Sequence, residues 1–212
     1  MSDSLRERVL AEALAEIPRT GLSHATLEAA AQRAGISKRE MQDAFPQGPA
    51  SLAEAVSHWA DKRMADMLLK QEPERKMRER IASAVRARIE VLTPHKEAAR
   101  RTAAFLAQPQ NAMLATKLVM RTVDAIWRAA GDRSSDFSYY TKRATLAGVY
   151  GATFAYWLSD ASEGHQATWT FLGHRIDNVM QIETFKKAAK DAMAKLPDPL
   201  KIFDTLRGKP KT

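Results

Sequence analysis

Thr26-Leu-Glu-Ala-Ala-Ala-Gln-Arg-Ala-Gly35-Ile-Ser37, continued by Lys38-Arg-Glu-Met-Gln-Asp-Ala-Phe45-Pro46 and by Ser51-Leu-Ala-Glu-Ala-Val56, decides the fold. A run of helix formers meets a glycine and restarts at a serine, the outline of a helix-turn-helix. Gly35 suits the turn, Ser37 and Glu40 have the spacing of a capping box, and Phe45 is placed to plug a core. What the stretch lacks is positive charge. Residues 1–58 hold six Lys and Arg (Arg6, Arg8, Arg19, Arg33, Lys38, Arg39) against eight Asp and Glu (Asp3, Glu7, Glu12, Glu16, Glu28, Glu40, Asp43, Glu54), a net of −2. Phosphate neutralisation supplies most non-specific DNA affinity, so an acidic reading head argues against DNA as the partner.

The same stretch resembles the DNA-binding half of the tetracycline-repressor family. That family usually carries an aromatic and a histidine near the end of the second helix, then a phosphate-gripping lysine. Aligned on Phe45-Pro46, those places hold Gln42, Ala44 and the Gly48-Pro49 pair. The resemblance implies the repressor scaffold without its DNA contacts, and residues 1–48 are read as a degenerate helix-turn-helix unit.

Beyond it nearly every segment has helical period. Leu5, Val9, Leu10, Ala13, Leu14 and Ile17 mark a first helix ended by Pro18 and Gly21. Ser51 to Gln71 reads as a fourth, buried through Leu52, Val56, Trp59, Met64 and Met67/Leu68. Pro73 is read as opening a helix through Leu92, followed by helices over Lys96–Ala107, Asn111–Ala130, Asp136–Ser159, Ser162–Ile182 and Thr184–Leu196. Nothing alternates with period two for the length of a strand. The expected class is all-α, about ten helices, with residues 49–183 as a ligand-binding bundle and 184–212 as a separate basic segment.

The 212 residues suffice for one large or two small domains and contain no cysteine, so disulfides and thiolate sites are excluded. No apolar run approaches the ~18 residues of a membrane span. Met-Ser-Asp-Ser has no basic n-region or apolar h-region, and Asp3 to Glu16 is too acidic for a transit sequence; the expected location is the cytoplasm. The net charge of +8 is uneven: −1 over residues 1–70, +4 over 71–183 and +5 over 184–212. That asymmetry points to a basic tail facing an anionic surface.

The segment Asp136–Ser159 is the most apolar. Leu146, Val149, Tyr150, Thr153, Phe154, Trp157 and Leu158 form a broad stripe, with Gly148 and Gly151 beside it. A glycine inside a helix costs about 1 kcal/mol relative to alanine, so two of them call for a close approach, by a neighbouring helix or by a ligand. In the second reading these side chains line a lipid pocket with Met67, Leu92, Trp127, Trp169, Phe171 and Leu172, since bundle interiors house apolar cavities. Periodicity leaves both readings open.

Asp124-Ala-Ile-Trp-Arg-Ala-Ala-Gly-Asp-Arg-Ser-Ser-Asp136-Phe-Ser-Tyr-Tyr-Thr-Lys-Arg143-Ala-Thr-Leu-Ala-Gly-Val-Tyr150 resembles the Coq-nine family, the lipid-binding accessory proteins of ubiquinone (coenzyme Q) biosynthesis. Thr168-Trp-Thr-Phe-Leu-Gly-His-Arg-Ile-Asp177 and Phe45-Pro-Gln-Gly-Pro49 continue the likeness, which covers roughly residues 5–183. The resemblance implies a repressor-like homodimer that binds an isoprenoid quinone lipid, engages an anionic membrane (the bacterial inner membrane, peripherally), and presents quinone precursors to the di-iron demethoxyubiquinone hydroxylase. The implied partner surface centres on Asp124, Ile126, Asp136, Tyr139, Tyr140 and Arg143. Where the family often has tryptophan followed by tyrosine, this chain has Tyr139-Tyr140. Physically, large aromatics beside a charged rim suit an interface hot spot. Equally, Asp136 can be a simple N-cap, Arg143 its helix-surface neighbour, and one tyrosine part of the core.

In the tail, Ile182, Phe185, Ala189, Met193 and Leu196 form one apolar stripe flanked by Lys186, Lys187, Lys190 and Lys195. Such a helix lies in a bilayer interface, closes its own bundle or forms a dimer seam. Each lysine near anionic lipid contributes about 1 kcal/mol, and full burial of Phe185 or Leu196 about 1.5–3 kcal/mol, enough for reversible binding. No catalytic constellation is visible. The histidines are scattered, and no metal-ligand spacing, P-loop or nucleophile motif occurs. The expectation is a non-enzymatic lipid-binding module with neither cofactor nor metal; the second reading is a ligand-responsive transcription regulator.

Overall fold

Val9, Leu10, Ala13, Leu14 and Ile17 are buried along one face of α1 (Ser2–Thr20), and the first core is built on them. The computed structural model describes residues 2–132 and 138–178, with side chains over 4–132 and 140–178. Pro18 does not end α1 as expected but sits inside its last turn; Gly21 stops the helix at φ +69°, its N–H donating to Ile17 O at 2.9 Å. Helix α2 (His24–Arg33) is capped by Ser23, whose Oγ accepts from Thr26 N–H at 3.1 Å. Gly35, at φ +65°, turns the chain into α3 (Lys38–Ala44). The capping box forms as the spacing predicts. Glu40 N–H donates to Ser37 Oγ at 3.3 Å, and Ser37 N–H to Glu40 Oε2 at 3.0 Å. These bonds satisfy amide groups that a helix start otherwise leaves open.

Phe45 is 2% exposed and closes this core from the end of α3. The core continues past the helix-turn-helix into Leu52 and Val56 of α4 (Pro49–Leu68) and Ala98 of α6 (Lys96–Leu106). The remaining helices are α5 (Met77–Leu92), α7 (Ala112–Ala129), α8 (Ser138–Ser159) and α9 (residues 166–178), the last preceded by a short 3-10 turn, Glu163–His165. Among the described residues every regular element is helical, as the periodicity requires. Two boundaries differ from expectation. Helix α4 ends at Leu68, not near Gln71, and α5 opens at Met77, not at Pro73. The intervening Gln71-Glu-Pro-Glu-Arg-Lys76 is exposed throughout and buries no apolar group that would reward helix formation.

Residues 1–172 form one compact unit, and the second unit, described through residue 178, continues as helix. Residues 184–212, read above as an amphipathic membrane segment through Phe185, Lys186, Lys187, Lys190, Met193 and Leu196, lie outside the described residues.

Asp160 organises the turn from α8 to α9. Its carboxylate accepts from Ser162 N–H at 2.8 Å, Thr168 N–H at 3.0 Å and the Thr168 hydroxyl at 2.5 Å. Ser162 Oγ in turn accepts from Ala167 N–H at 3.1 Å. Burial by itself raises the Asp160 pKa, but the hydrogen bonds from Thr168 and Ser162 outweigh it and hold the group well below the usual carboxylate range. Because the folded-state value is depressed, its stabilising contribution is present above the ordinary value of 3.8 and is lost as pH falls from there toward the folded-state value. Asp160→Asn is therefore expected to lower Tm by a few degrees at neutral pH, with the gap to wild type narrowing below pH 3.8. Thermal melts across that range measure it, and a pH-independent gap refutes the assignment.

Candidate functional site

Small side chains leave a hole in the bundle. Ala99 and Ala103 of α6, Ala115 and Val119 of α7, Ala53 of α4 and Gly151 of α8 face one another across a cavity of about 270 Å³. Leu92, Leu106, Leu118, Tyr150 and Phe154 complete an almost wholly apolar wall. Close packing would normally fill such a space, and an apolar cavity of this kind suits an apolar guest. Two other depressions flank Trp59 between α1 and α4, of about 250 and 500 Å³. Their walls mix charges of both signs, Arg6, Glu7 and Lys62 in one and Lys62, Arg63 and Asp66 in the other. They suit water better than lipid.

One end of the apolar cavity is polar. Arg88 projects from α5 into the bundle and is 3% exposed. Its Nε donates to Asp61 Oδ1 at 2.6 Å, and its Nη2 to Ser57 O at 3.3 Å, both on α4. The Thr122 hydroxyl, from α7, donates to the same carboxylate at 3.0 Å. Desolvation opposes the charge on Arg88, but Tyr150 and Asp61 beside it leave its pKa above the ordinary value. Burial pushes the Tyr150 phenol up, so it stays protonated. The group is charge-balanced, and four helices meet on it.

A second polar arrangement joins α7 to α8. Arg143 is 4% exposed and donates from Nε and Nη2 to Asp124 Oδ1, at 2.9 and 2.7 Å. Asp124 also pairs with Arg128, and Asp132 lies 3.8 Å from Arg143 Nη1 and 3.2 Å from Lys142 Nζ. Lys142 in turn lies over the Trp127 ring, 5.5 Å from its centre. Tyr140, one turn before Lys142 and Arg143 on α8, is 72% exposed.

The COQ9 family model matches residues 112–183, which contain this corner and two elements of the cavity wall, α7 and α8. Over 190 residues the chain is 35% identical to the mitochondrial ubiquinone biosynthesis protein COQ9 of Drosophila melanogaster, covering 85% of this chain and 57% of that protein. Identity to the human protein of the same name is 29% over 196 residues, 89% of this chain and 61% of the relative. The chain is thus similar to the COQ9 family over most of its length. It spans about three-fifths of the length of these curated COQ9 relatives. A TetR transcriptional regulator from Nitrosomonas europaea superposes with a TM-score of 0.61 at 23% identity, covering 82% of this chain and 97% of that one. The fold is thus the tetracycline-repressor fold, as the sequence resemblance implied.

Leu92, Tyr150 and Phe154 line the cavity. Leu146, Val149, Trp157 and Leu172 are buried elsewhere in the core, Trp157 completely, in ring contact with Phe154 and His165. Trp127 lies under Lys142, Trp169 lies under Arg86 and donates to Gly164 O, and Met67 is half-buried near the end of α4. The structure does not bring these seven into the cavity wall. Gly148 and Gly151 were expected at a close approach; a methyl built on either meets nothing within 4 Å in this chain. Gly148 is exposed and Gly151 borders the cavity.

The partner surface needs a correction. Ile126 is 0% exposed, on the face of α7 that also buries Thr122 and Val123, so it is core and not a surface anchor. Arg143 is buried and bonded to Asp124, which also pairs with the exposed Arg128, so Arg143 is support and not rim. Asp136 and the Tyr139 side chain lie outside the described residues. What the sequence reading missed is the small-residue wall and Arg88. A charged residue flanked by Val85, Ile89 and Leu92 on a buried helix face was the available signal. Removing one partner of a buried pair leaves the other charge uncompensated. Arg143→Met is therefore expected to destabilise the protein by about 3 kcal/mol in urea titration. A change below about 0.5 kcal/mol, the usual range for surface sites, excludes a structural role for the pair.

Proposed function

We propose that this COQ9-like chain acts in ubiquinone biosynthesis as a lipid-binding accessory protein. It takes an isoprenoid quinone intermediate into the bundle cavity and presents it to the demethoxyubiquinone hydroxylase at a membrane surface. The carrying observation is the cavity of about 270 Å³, largely apolar and open to the surface, in a chain similar to this family. A guest of that size is a ring with a short length of its chain, so the rest of an isoprenoid tail lies outside the cavity. Among the described residues no helix is long and apolar enough to cross a membrane, in keeping with contact from one side. The relatives are named as mitochondrial proteins, and the anionic inner-membrane face is the surface this reading assigns, engaged by the basic residues 184–212 of a homodimer. The α7–α8 corner, with Tyr140 exposed beside the buried Arg143, supports its assignment as the hydroxylase-docking surface.

A ligand-responsive regulator is the second reading, favoured by the likeness to the TetR structure. Three cations of the reading head weigh against it, because they are engaged within the chain. Arg33 pairs with Glu16, Lys38 with Glu28, and Arg8 donates to Ala34 O across the turn. Gly48, where repressors carry the phosphate-gripping lysine, has φ +55° and ψ −123°, backbone that a side chain resists.

Two measurements test the leading reading. Denaturing extraction and lipid mass spectrometry of protein purified from cells should find an isoprenoid quinone or precursor. Ala103→Trp, filling the cavity, should lower the recovered amount severalfold; lipid-free wild type rejects the cavity as an isoprenoid site. Tyr140→Ala should weaken capture of the hydroxylase by about tenfold with Tm unchanged, as for an exposed hot-spot aromatic, and unaltered affinity rejects the assigned surface.

A further inference from the structure

The polar end of the cavity has one donor left over. Arg88 spends Nε on Asp61 and Nη2 on Ser57 O, but its Nη1 is buried without a hydrogen-bond partner. A buried, unsatisfied guanidinium N–H is costly, and Arg88 borders the apolar cavity together with Tyr150. The ion pair with Asp61 already balances the charge. A carboxylate or phosphate at this point would bring a net negative charge into an apolar interior, which is strongly unfavourable. An uncharged oxygen acceptor answers the free N–H without that penalty. The Tyr150 phenol, kept protonated by burial, is a neutral neighbour to such an oxygen.

We propose that the cavity takes its ligand head-first, with an uncharged head-group oxygen, a ring carbonyl in the case of a quinone, accepting a hydrogen bond from Arg88 Nη1. This rests on the reading of the cavity as a lipid site and adds the polarity and orientation of the guest. The apolar wall of Leu106, Val119 and Phe154 receives the ring face and the first part of the chain, and the tail leaves between the helices. Anionic fatty acids are rejected at this end; isoprenoid alcohols and quinones are accepted.

Isothermal titration of the full chain with three probes of equal chain length tests it: a decyl-substituted benzoquinone, decylbenzene and decanoate. Wild type is expected to bind the quinone at least about tenfold more tightly than decylbenzene, the worth of one hydrogen bond to a charged donor, and decanoate more weakly than the quinone. In the charge-balanced double variant Arg88→Met with Asp61→Leu, the preference for quinone should vanish while decylbenzene binding stays within about threefold. Arg88→Lys, which keeps the charge opposite Asp61 but lacks the forked donors, should lose most of the preference and guards against a misfolded double variant; thermal melts confirm folding of both. A quinone preference that survives both substitutions, or tighter binding of decanoate than of quinone, overturns the proposal while leaving the cavity a lipid site. Failure of folded wild type to bind either the quinone or decylbenzene overturns the lipid reading itself.

Discussion

A guanidinium buried among four helices has to be paired, and the bundle is arranged around that requirement. Arg88 on α5 draws Asp61 and Ser57 from α4, Asp61 draws Thr122 from α7, and Tyr150 of α8 closes the group. A mismatched pair here would leave a charge in an apolar interior, so the register of these helices is tied to the ion pair. The same group borders a wall of small residues that does not fill the space beside it. Alanines and a glycine at that point leave a cavity where leucines would leave a core.

The N-terminal unit answers a different constraint. Its capping box, its turn glycine and Phe45 serve folding, and each is satisfied within the chain. Three of its basic groups pair with Glu16, Glu28 and the turn carbonyl of Ala34. A repressor-like scaffold is thus retained with an acidic balance and part of its positive charge compensated within the chain. The core running from α1 into α4 and α6 explains why the scaffold is kept, since removing it would expose Val9, Leu14 and Ile17 and unseat Ala98.

The α7–α8 corner combines buried ion pairing with exposure. Arg143, bonded to Asp124 and close to Asp132, ties the start of α8 to the end of α7, and Tyr140 is exposed one turn before it. Of the residues expected as a charged rim, Asp124 and Arg143 proved to be the support itself. Ile126, one turn along α7 from Thr122 and adjacent in phase to Val123, is its buried side.

The helical class, the helix-turn-helix and its acidic balance, the capping box at Ser37 and the family likeness were legible in the sequence, because period, turn chemistry and charge are local properties. The aromatic stripe of α8 was legible as apolar but not as a cavity wall. Leu146 and Trp157 share its spacing with Tyr150 and Phe154, yet the first two are core and the last two border the cavity. That division depends on which neighbour each side chain meets: a void arises from the absence of atoms, contributed here by Ala53, Ala99, Ala103 and Ala115 on three other helices. The pairing of Arg88 with Asp61, 27 residues apart, and of Arg143 with Asp124, 19 apart, likewise exists only once helices are packed. Local sequence determined what each helix is and what kind of chain this is; tertiary packing alone decided where the space lies and which charged residue borders it.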